Sequence, residues 1–163
     1  MKRATLEKYL QELGVSYHTV SHPAAFTVPE LLQHVSSMEG LHAKNLLVKD
    51  KKSLRLYLIT VRHDANVRLD QVAKLVGAKE LRFASEETLD KSLGVSQGSV
   101  TPFALLNDAK NHIVTLVLDD QLWVDGKLLN FHPLINTATT SISVKGFKTF
   151  LQSTGHQPVL VQL

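Results

Sequence analysis

The sequence HAKNLLVKDKKSLRLYLITV, residues 42–61, contains two apolar runs separated by a short polar segment. The runs cover residues 42–48 and 54–61, and Asp50-Lys51-Lys52-Ser53 lies between them. Apolar runs of this length around a short polar connection are typical of paired antiparallel strands. We therefore predict a β-hairpin here, with its turn at residues 50–53.

Helical patterns flank this hairpin on both sides. Apolar residues of segment 6–13 recur at the spacing of one helical face, and Gly14 follows as a helix end. Thr27-Val28-Pro29-Glu30 is typical of a helix start, which predicts a helix over residues 28–36. Further helices are expected over 69–76, 85–91 and 147–151, and further strands over 15–20, 81–84, 112–118, 139–144 and 159–163.

Asp125-Gly126 is a turn signal, and it predicts a second hairpin between Leu122–Val124 and Lys127–Leu129. The resulting fold class is mixed α/β, with several hairpins in one domain over residues 1–163. Strands and helices do not alternate strictly, and neither GxGxxG nor a Walker loop is present, so a doubly wound nucleotide-binding fold is not expected.

Composition excludes several classes of protein. The 163 residues are 44% hydrophobic and include no cysteine, which excludes disulfides, thiolate zinc sites and cysteine nucleophiles. No apolar run approaches the roughly 20 residues of a membrane span, and the N-terminus is not that of a secretory signal. We expect no membrane association and a cytoplasmic location. The formal net charge of +3 permits a phosphate-bearing partner without requiring one.

Lys44 is the first candidate for chemistry. It shares one strand face with Leu46 and Val48, whereas Asn45 lies on the opposite face, because alternate residues of a strand point the same way. The apolar neighbours indicate that Lys44 faces a core or a cavity, where an ammonium group requires a phosphate or carboxylate partner. The alternative is that Lys44 lies at a strand end and extends into solvent.

Two further segments carry candidates. The loop Gly98-Ser99-Val100-Thr101-Pro102 combines a glycine that permits close backbone approach with a proline that stiffens the exit. Amides of such a loop can bind a carbonyl oxygen or a water, although an ordinary connection has the same pattern. His132 can act as an acid or base near neutral pH, or simply as a partly buried histidine after a strand.

Other patterns are weaker. His18 and His22 have a four-residue spacing, but they lie on a predicted strand and turn, and no HExxH motif accompanies them, so no metal site is expected. Lys49, Lys51, Lys52 and Arg55 cluster at the hairpin tip. This cluster is either a solvated turn or a contact for an RNA backbone.

Five segments in this order resemble the YbaK/prolyl-tRNA synthetase-associated editing domain family. Within the family, the chain is most similar to the freestanding Ala-tRNA(Pro) deacylases of the ProXp-ala type, over nearly its whole length. The segments are Pro23–Glu30, Ala43–Leu47, Gly98–Leu105, Asn130–Leu134 and Thr139–Ile142.

The resemblance implies a curved, barrel-like mixed sheet flanked by helices. It implies hydrolysis of the ester that joins a wrong amino acid to the terminal ribose of a tRNA, without a metal or an organic cofactor. The implied partners are mischarged tRNA(Pro) and, transiently, prolyl-tRNA synthetase. Lys44 matches the family's essential lysine, and His132 matches a histidine near its pocket. Gly98 and Pro102 match the ends of its active-site loop, and Thr27 and Asn45 fall in site segments.

An aminoacyl ester is already activated, so its hydrolysis requires no covalent nucleophile. Amides near Gly98 and Ser99 can position the carbonyl or the water, and Lys44 can bind a phosphate or developing negative charge. Our leading hypothesis is therefore an Ala-tRNA(Pro) deacylase. The alternatives are a deacylase for cysteinyl- or seryl-tRNA and a binding module for the tRNA 3′ end that has no catalytic activity.

Overall fold

The computed structural model describes residues 3–163, which form a mixed α/β fold, as predicted. This part of the chain contains five α-helices: α1 (Arg3–Glu12), α2 (Val28–Val35), α3 (Leu69–Val76), α4 (Glu86–Leu93) and α5 (Val144–Thr154). Its strands are β1 (Tyr17–Ser21), β2 (Leu41–Asp50), β3 (Leu56–Arg62), β4 (Leu81–Phe83), β5 (Val114–Asp119), β6 (Leu128–Phe131), β7 (Ala138–Ser143) and β8 (Val159–Val161). Two 3₁₀ helices cover Pro102–Asp108 and Asp120–Leu122.

The eight strands form one mixed sheet in the order β1-β7-β6-β2-β3-β5-β8, and β4 pairs separately with β2. Pairs β2–β6, β3–β5 and β5–β8 are parallel, and the other pairs are antiparallel. Over residues 3–163 the end strands β1 and β8 do not pair with each other, so the expected barrel-like sheet is open rather than closed.

The hairpin predicted over residues 42–61 is confirmed. Strands β2 and β3 pair antiparallel from Ala43 opposite Arg62 to Lys49 opposite Leu56. Asp50 closes the turn, because its carboxylate accepts hydrogen bonds from the Ser53 hydroxyl at 2.7 Å and from the Glu80 amide at 3.2 Å. The side-chain hydrogen bond from Ser53 is the main cause that lowers the pKa of Asp50 to about 2.

The predicted helices are confirmed, and their ends follow the capping residues. The Thr27 hydroxyl accepts a hydrogen bond from the Glu30 amide and begins α2, and Ser85 begins α4 in the same way. Gly77 ends α3 in the left-handed conformation, with φ +72°. Strand β1 begins two residues later than predicted, because the Val15 amide still bonds to the Leu10 carbonyl at the end of α1.

The second predicted hairpin is wrong. A turn does form, since the Lys127 amide donates to the Val124 carbonyl at 3.2 Å, but residues 122–124 form no strand. Residues 120–122 are instead a 3₁₀ helix that places Leu122 fully in the core. Strand β6 pairs with β7 and β2 instead of with residues 122–124, so the turn forms without a hairpin.

Each face of the sheet carries a separate hydrophobic core. The larger core contains side chains of α1, α4, α5 and the first 3₁₀ helix, and Phe103 forms edge-to-face pairs there with Phe131 and Phe150. The smaller core joins β2, β3 and α3. Helix α2 packs through Leu31 and Val35 in a third cluster. Across residues 3–163, no helix has the length and apolar character that a bilayer crossing requires.

Candidate functional site

A cavity of about 530 Å³ lies where β2 changes its pairing partner. On the edge opposite β3, residues 41–42 of β2 pair with β6 and residues 48–50 pair with β4. The strand edge over residues 43–47 therefore has no strand partner, and all five of these residues line the cavity. The remaining walls come from α2 with the segment before it, from residues 83–89, from the loop around Gly98, and from His132.

The structure brings five of the seven predicted site residues to this cavity. Lys44 and Asn45 come from β2, Thr27 from the start of α2, Gly98 from the loop after α4, and His132 from the segment after β6. These positions are far apart in sequence, and only the pairing of β2 and β6 with their neighbours brings them together.

Lys44 lies on the face of β2 that carries Leu46 and Val48, as predicted. Its side chain is half-buried and lines the cavity. Within residues 3–163, no carboxylate lies within 4.0 Å of its ammonium group. The protein thus presents a cation to the cavity without neutralising it, which suits an anionic ligand group.

Asn45 lines the same cavity although it lies on the opposite face of the strand, because the cavity opens at the strand edge. Its Oδ1 accepts a hydrogen bond of 2.7 Å from the hydroxyl of Thr60, which is fully buried. This bond orients the amide and leaves the Nδ2 hydrogens for a ligand. The backbone of Asn45 also faces the open edge, since the Leu47 carbonyl two residues later bonds to Ala84 there.

Gly98 has a specific steric role. Its φ is +89°, a conformation that residues with a side chain rarely adopt, and a Cβ there would lie 3.1 Å from Cδ1 of Phe26. The preceding residue is anchored, because the Gln97 amide donates to Oε1 of Glu86 at 2.8 Å. The backbone amide of Gly98 has no acceptor among residues 3–163, and Gly98 lines the cavity, so this amide is available to an oxygen of a ligand.

Ser99 and Pro102 belong to the predicted loop but do not line the cavity. The Ser99 amide donates to the Ser96 carbonyl at 3.0 Å, so it is not available to a ligand. Pro102 is buried as the first residue of the 3₁₀ helix, which the Thr101 hydroxyl caps. Their positions indicate that they shape the loop, and the Gly98 amide is the better candidate for the donor.

His132 presents one ring nitrogen to a ligand. Its Nδ1 lies 2.9 Å from the Ala138 carbonyl, and since a carbonyl only accepts, Nδ1 carries the proton and donates it. Burial is the main cause that lowers the pKa of His132, with a further contribution from nearby His22, while the bond to Ala138 opposes them. The ring is therefore neutral at pH 7, and Nε2 can accept a proton.

His22, one of the two histidines weighed as metal ligands, has other partners. His22 uses both ring nitrogens, one on the Pro23 carbonyl and the other on the Thr139 hydroxyl, each at 2.8 Å. Its ring also stacks on His34 of α2, with ring centroids 5.8 Å apart. Within residues 3–163 no three His, Asp or Glu side chains cluster closely enough to hold a metal ion.

Sequence reasoning missed much of the cavity wall, and four of the missed residues have a clear place in the site. Glu86 and Gln97 anchor the loop, and Phe26 and Phe83 line the cavity with side chains that are 70% and 66% exposed. Phe26 lies within the resembling segment 23–30, but no sequence pattern reveals that its ring is exposed. Phe83 ends a three-residue strand that carries no recognisable motif.

These groups define a site that can bind an anion and act on a neighbouring ester. The ammonium of Lys44, the amide of Gly98 and the imidazole of His132 together offer a charge, a hydrogen-bond donor and a base. The family model of the aminoacyl-tRNA editing domain matches residues 22–150, which include all three. The chain belongs to the aminoacyl-tRNA editing domain family.

Two relatives are similar over nearly their full length. "Prolyl-tRNA synthetase associated domain-containing protein 1" of Bos taurus is 41% identical over 162 residues, covering 98% of this chain and 94% of the relative. "Prolyl-tRNA editing protein ProX" of Acetoanaerobium sticklandii is 30% identical over 162 residues, covering 99% and 97%. Both matches cover nearly the whole of this chain as well.

Solved structures share the fold. The crystal structure of hypothetical protein APE2540 has a TM-score of 0.74 at 20% identity and covers 99% of this chain and 98% of that chain. A structure described as a candidate trans-editing enzyme for prolyl tRNA synthetase has a TM-score of 0.71 at 24% identity, covering 100% and 98%. At this identity the likeness concerns the fold alone.

Proposed function

We propose that this chain hydrolyses the aminoacyl ester of mischarged tRNA(Pro), with Ala-tRNA(Pro) as the preferred substrate. The observation that carries the proposal is that Lys44, Gly98 and His132 line one cavity in a member of an editing family. The names of its relatives, which refer to prolyl-tRNA editing and to prolyl-tRNA synthetase, support tRNA(Pro) as the RNA.

In the proposed reaction, water attacks the ester carbonyl and the ribose oxygen leaves. The Gly98 amide donates a hydrogen bond to the carbonyl oxygen or to the water, and Lys44 binds the terminal phosphate or the developing negative charge. Neutral His132 can accept a hydrogen bond at Nε2, and a neighbouring ribose hydroxyl of the substrate helps to pass the proton that the water loses to the leaving ribose oxygen. Positioning of this kind contributes up to about 7–11 kcal/mol without a covalent intermediate.

The amino-acid preference is the finer part of the proposal. A cavity wall discriminates by about 1–3 kcal/mol for each methylene, so separation of alanine from serine or cysteine depends partly on contacts with the RNA. We include transient contact with prolyl-tRNA synthetase and a cytoplasmic location in the proposal, since editing must act before a mischarged tRNA is used in translation.

The test is a deacylation panel with alanyl, seryl, cysteinyl and prolyl esters on one tRNA(Pro). We expect alanine to be released fastest by wild type, and Lys44→Ala to lower that rate by at least about 100-fold. Lys110→Ala removes an exposed lysine that does not line the cavity and serves as the matched control. Equal rates for wild type and Lys44→Ala would contradict the role of Lys44, and tight binding without turnover would identify a binding module.

A further inference from the structure

The six phenylalanines of this chain fall into two groups. Four of them are at most 2% exposed and form the core: Phe103, Phe131, Phe147 and Phe150. The other two, Phe26 and Phe83, are 70% and 66% exposed, and both line the cavity described above. Because the remaining four phenylalanines are buried, the two exposed rings at one opening indicate an aromatic surface for a ligand.

The Phe26 ring is held in place although it is exposed. Its Cδ1 and Cε1 lie against the bare backbone of Gly98, at 3.1 and 3.6 Å from where a Cβ would be. Its backbone amide donates to Oε2 of Glu30 at 3.2 Å, and Thr27 next to it caps α2. The ring is thus supported on one side by the loop and open to solvent on the other.

Phe83 is positioned by the sheet. It pairs with Val48 at the end of β4, and the amide of the next residue, Ala84, donates to the Leu47 carbonyl at 2.9 Å. The backbone beneath the ring is therefore fixed at the point where the pairing between β2 and β4 ends. Its ring is open to solvent beside the cavity that Lys44 enters.

Exposed flat rings next to an unneutralised ammonium group match one class of ligand. Single-stranded RNA alternates flat bases with phosphates, and proteins bind it by stacking bases on aromatic side chains and placing cations near the backbone. Lys44 supplies the cation, and the formal net charge of +3 is compatible with an anionic chain.

We propose that Phe26 and Phe83 are stacking platforms for the unpaired bases at the 3′ end of the substrate RNA. This inference rests on the proposed function and deepens it. In this arrangement the rings hold the bases outside the cavity while the terminal ribose and its ester reach Lys44 and Gly98. The rings act on binding and positioning and take no part in the transfer of protons.

The experiment uses an uncharged tRNA(Pro) acceptor hairpin whose terminal adenine is replaced by fluorescent 2-aminopurine. Stacking on an aromatic ring quenches this fluorophore, so we expect quenching when wild type binds. Phe83→Leu and Phe26→Leu keep an apolar side chain but remove the flat ring, and we expect Kd to rise about 5- to 150-fold with loss of quenching, equivalent to about 1–3 kcal/mol. Phe83→Trp retains a flat ring, so its Kd and its quenching should stay close to those of wild type.

Leu160→Ala is the matched control, because Leu160 is 45% exposed on β8 and does not line the cavity. Loss of quenching in a leucine variant supports stacking at that ring. Unchanged Kd and quenching in both variants, while wild type hydrolyses the ester, overturns the inference and leaves the proposed function intact. If wild type neither binds the hairpin nor hydrolyses the ester, both proposals fail. Loss of binding only to prolyl-tRNA synthetase would assign the rings to a protein partner and overturn the inference.

Discussion

Substitution of Gly98 by alanine tests the geometry of the cavity most directly. At φ +89° an alanine is strained by about 1–3 kcal/mol, and its Cβ would lie 3.1 Å from Cδ1 of Phe26, so the ring or the loop must move by a few tenths of an ångström. In a domain of this size the melting temperature falls by about 2–4 °C per kcal/mol, so we expect Gly98→Ala to melt about 2–12 °C lower.

The effect on hydrolysis should be much larger than the effect on stability. If the Gly98 amide positions the carbonyl or the water, a displacement of the loop removes a hydrogen bond that contributes about 100- to 1,000-fold to kcat. We expect single-turnover release of alanine from Ala-tRNA(Pro) to fall by at least about 100-fold at a temperature where the variant is fully folded.

The matched control is Gly126→Ala. Gly126 has nearly the same φ, +85°, but nothing lies within 4 Å of the position that a Cβ would take there, and it is not part of the cavity lining. This variant should lose similar stability and keep wild-type hydrolysis. A Gly98→Ala variant that hydrolyses the ester at the wild-type rate would refute the proposal that this amide faces the substrate.

Three further predictions concern charge and burial. Burial lowers the pKa of His132 from 6.5, so the hydrolysis rate should decline with falling pH around a midpoint below 6.5; a decline centred above 6.5 would exclude this histidine. The pKa of Asp50 is lowered from 3.8 to about 2, so its carboxylate should stabilise the fold above pH 4 and lose that effect as pH falls towards 2. The difference in melting temperature between wild type and Asp50→Asn should therefore shrink over that interval, and a constant difference would contradict the prediction. Buried Asp108 accepts hydrogen bonds from the amides of Ile113 and Val114 and pairs with His156 at 2.9 Å. Asp108→Ala should therefore lower the free energy of unfolding, measured with denaturant, by about 3–5 kcal/mol. A loss below about 1 kcal/mol would show that water replaces the carboxylate.

Local patterns in the sequence were sufficient for the elements that depend on neighbouring residues. The hairpin of β2 and β3 and the helix starts at Thr27 and Ser85 follow from apolar alternation and capping side chains. The false hairpin at Asp125-Gly126 shows where this reasoning stops. Burial of Leu122 against residues distant in sequence decides that segment, and no local signal reports it.

The candidate site was only partly predictable for the same reason. Strand alternation placed Lys44 on an inward face but could not place Asn45 in the same cavity. That placement requires knowing that the edge of β2 opposite β3 has no strand partner over residues 43–47. The sequence of the loop offered the amides of both Gly98 and Ser99 as donors. The hydrogen bond from Ser99 to Ser96 separates them, because it occupies one amide and leaves the other for a ligand.

The change of pairing partner along β2 explains why one strand can supply so much of the site. An unpaired strand edge normally invites another strand to add, but here β6 and β4 close both ends and leave only residues 43–47. These five residues all line the cavity of about 530 Å³, so the unpaired edge faces the space that a ligand can occupy. Side chains of both strand faces and the backbone of Asn45 reach the opening together. The opening therefore brings together a cation from one face of the strand, an oriented side-chain amide from the other face, and main-chain groups between them. All of these groups belong to the strand itself rather than to a loop.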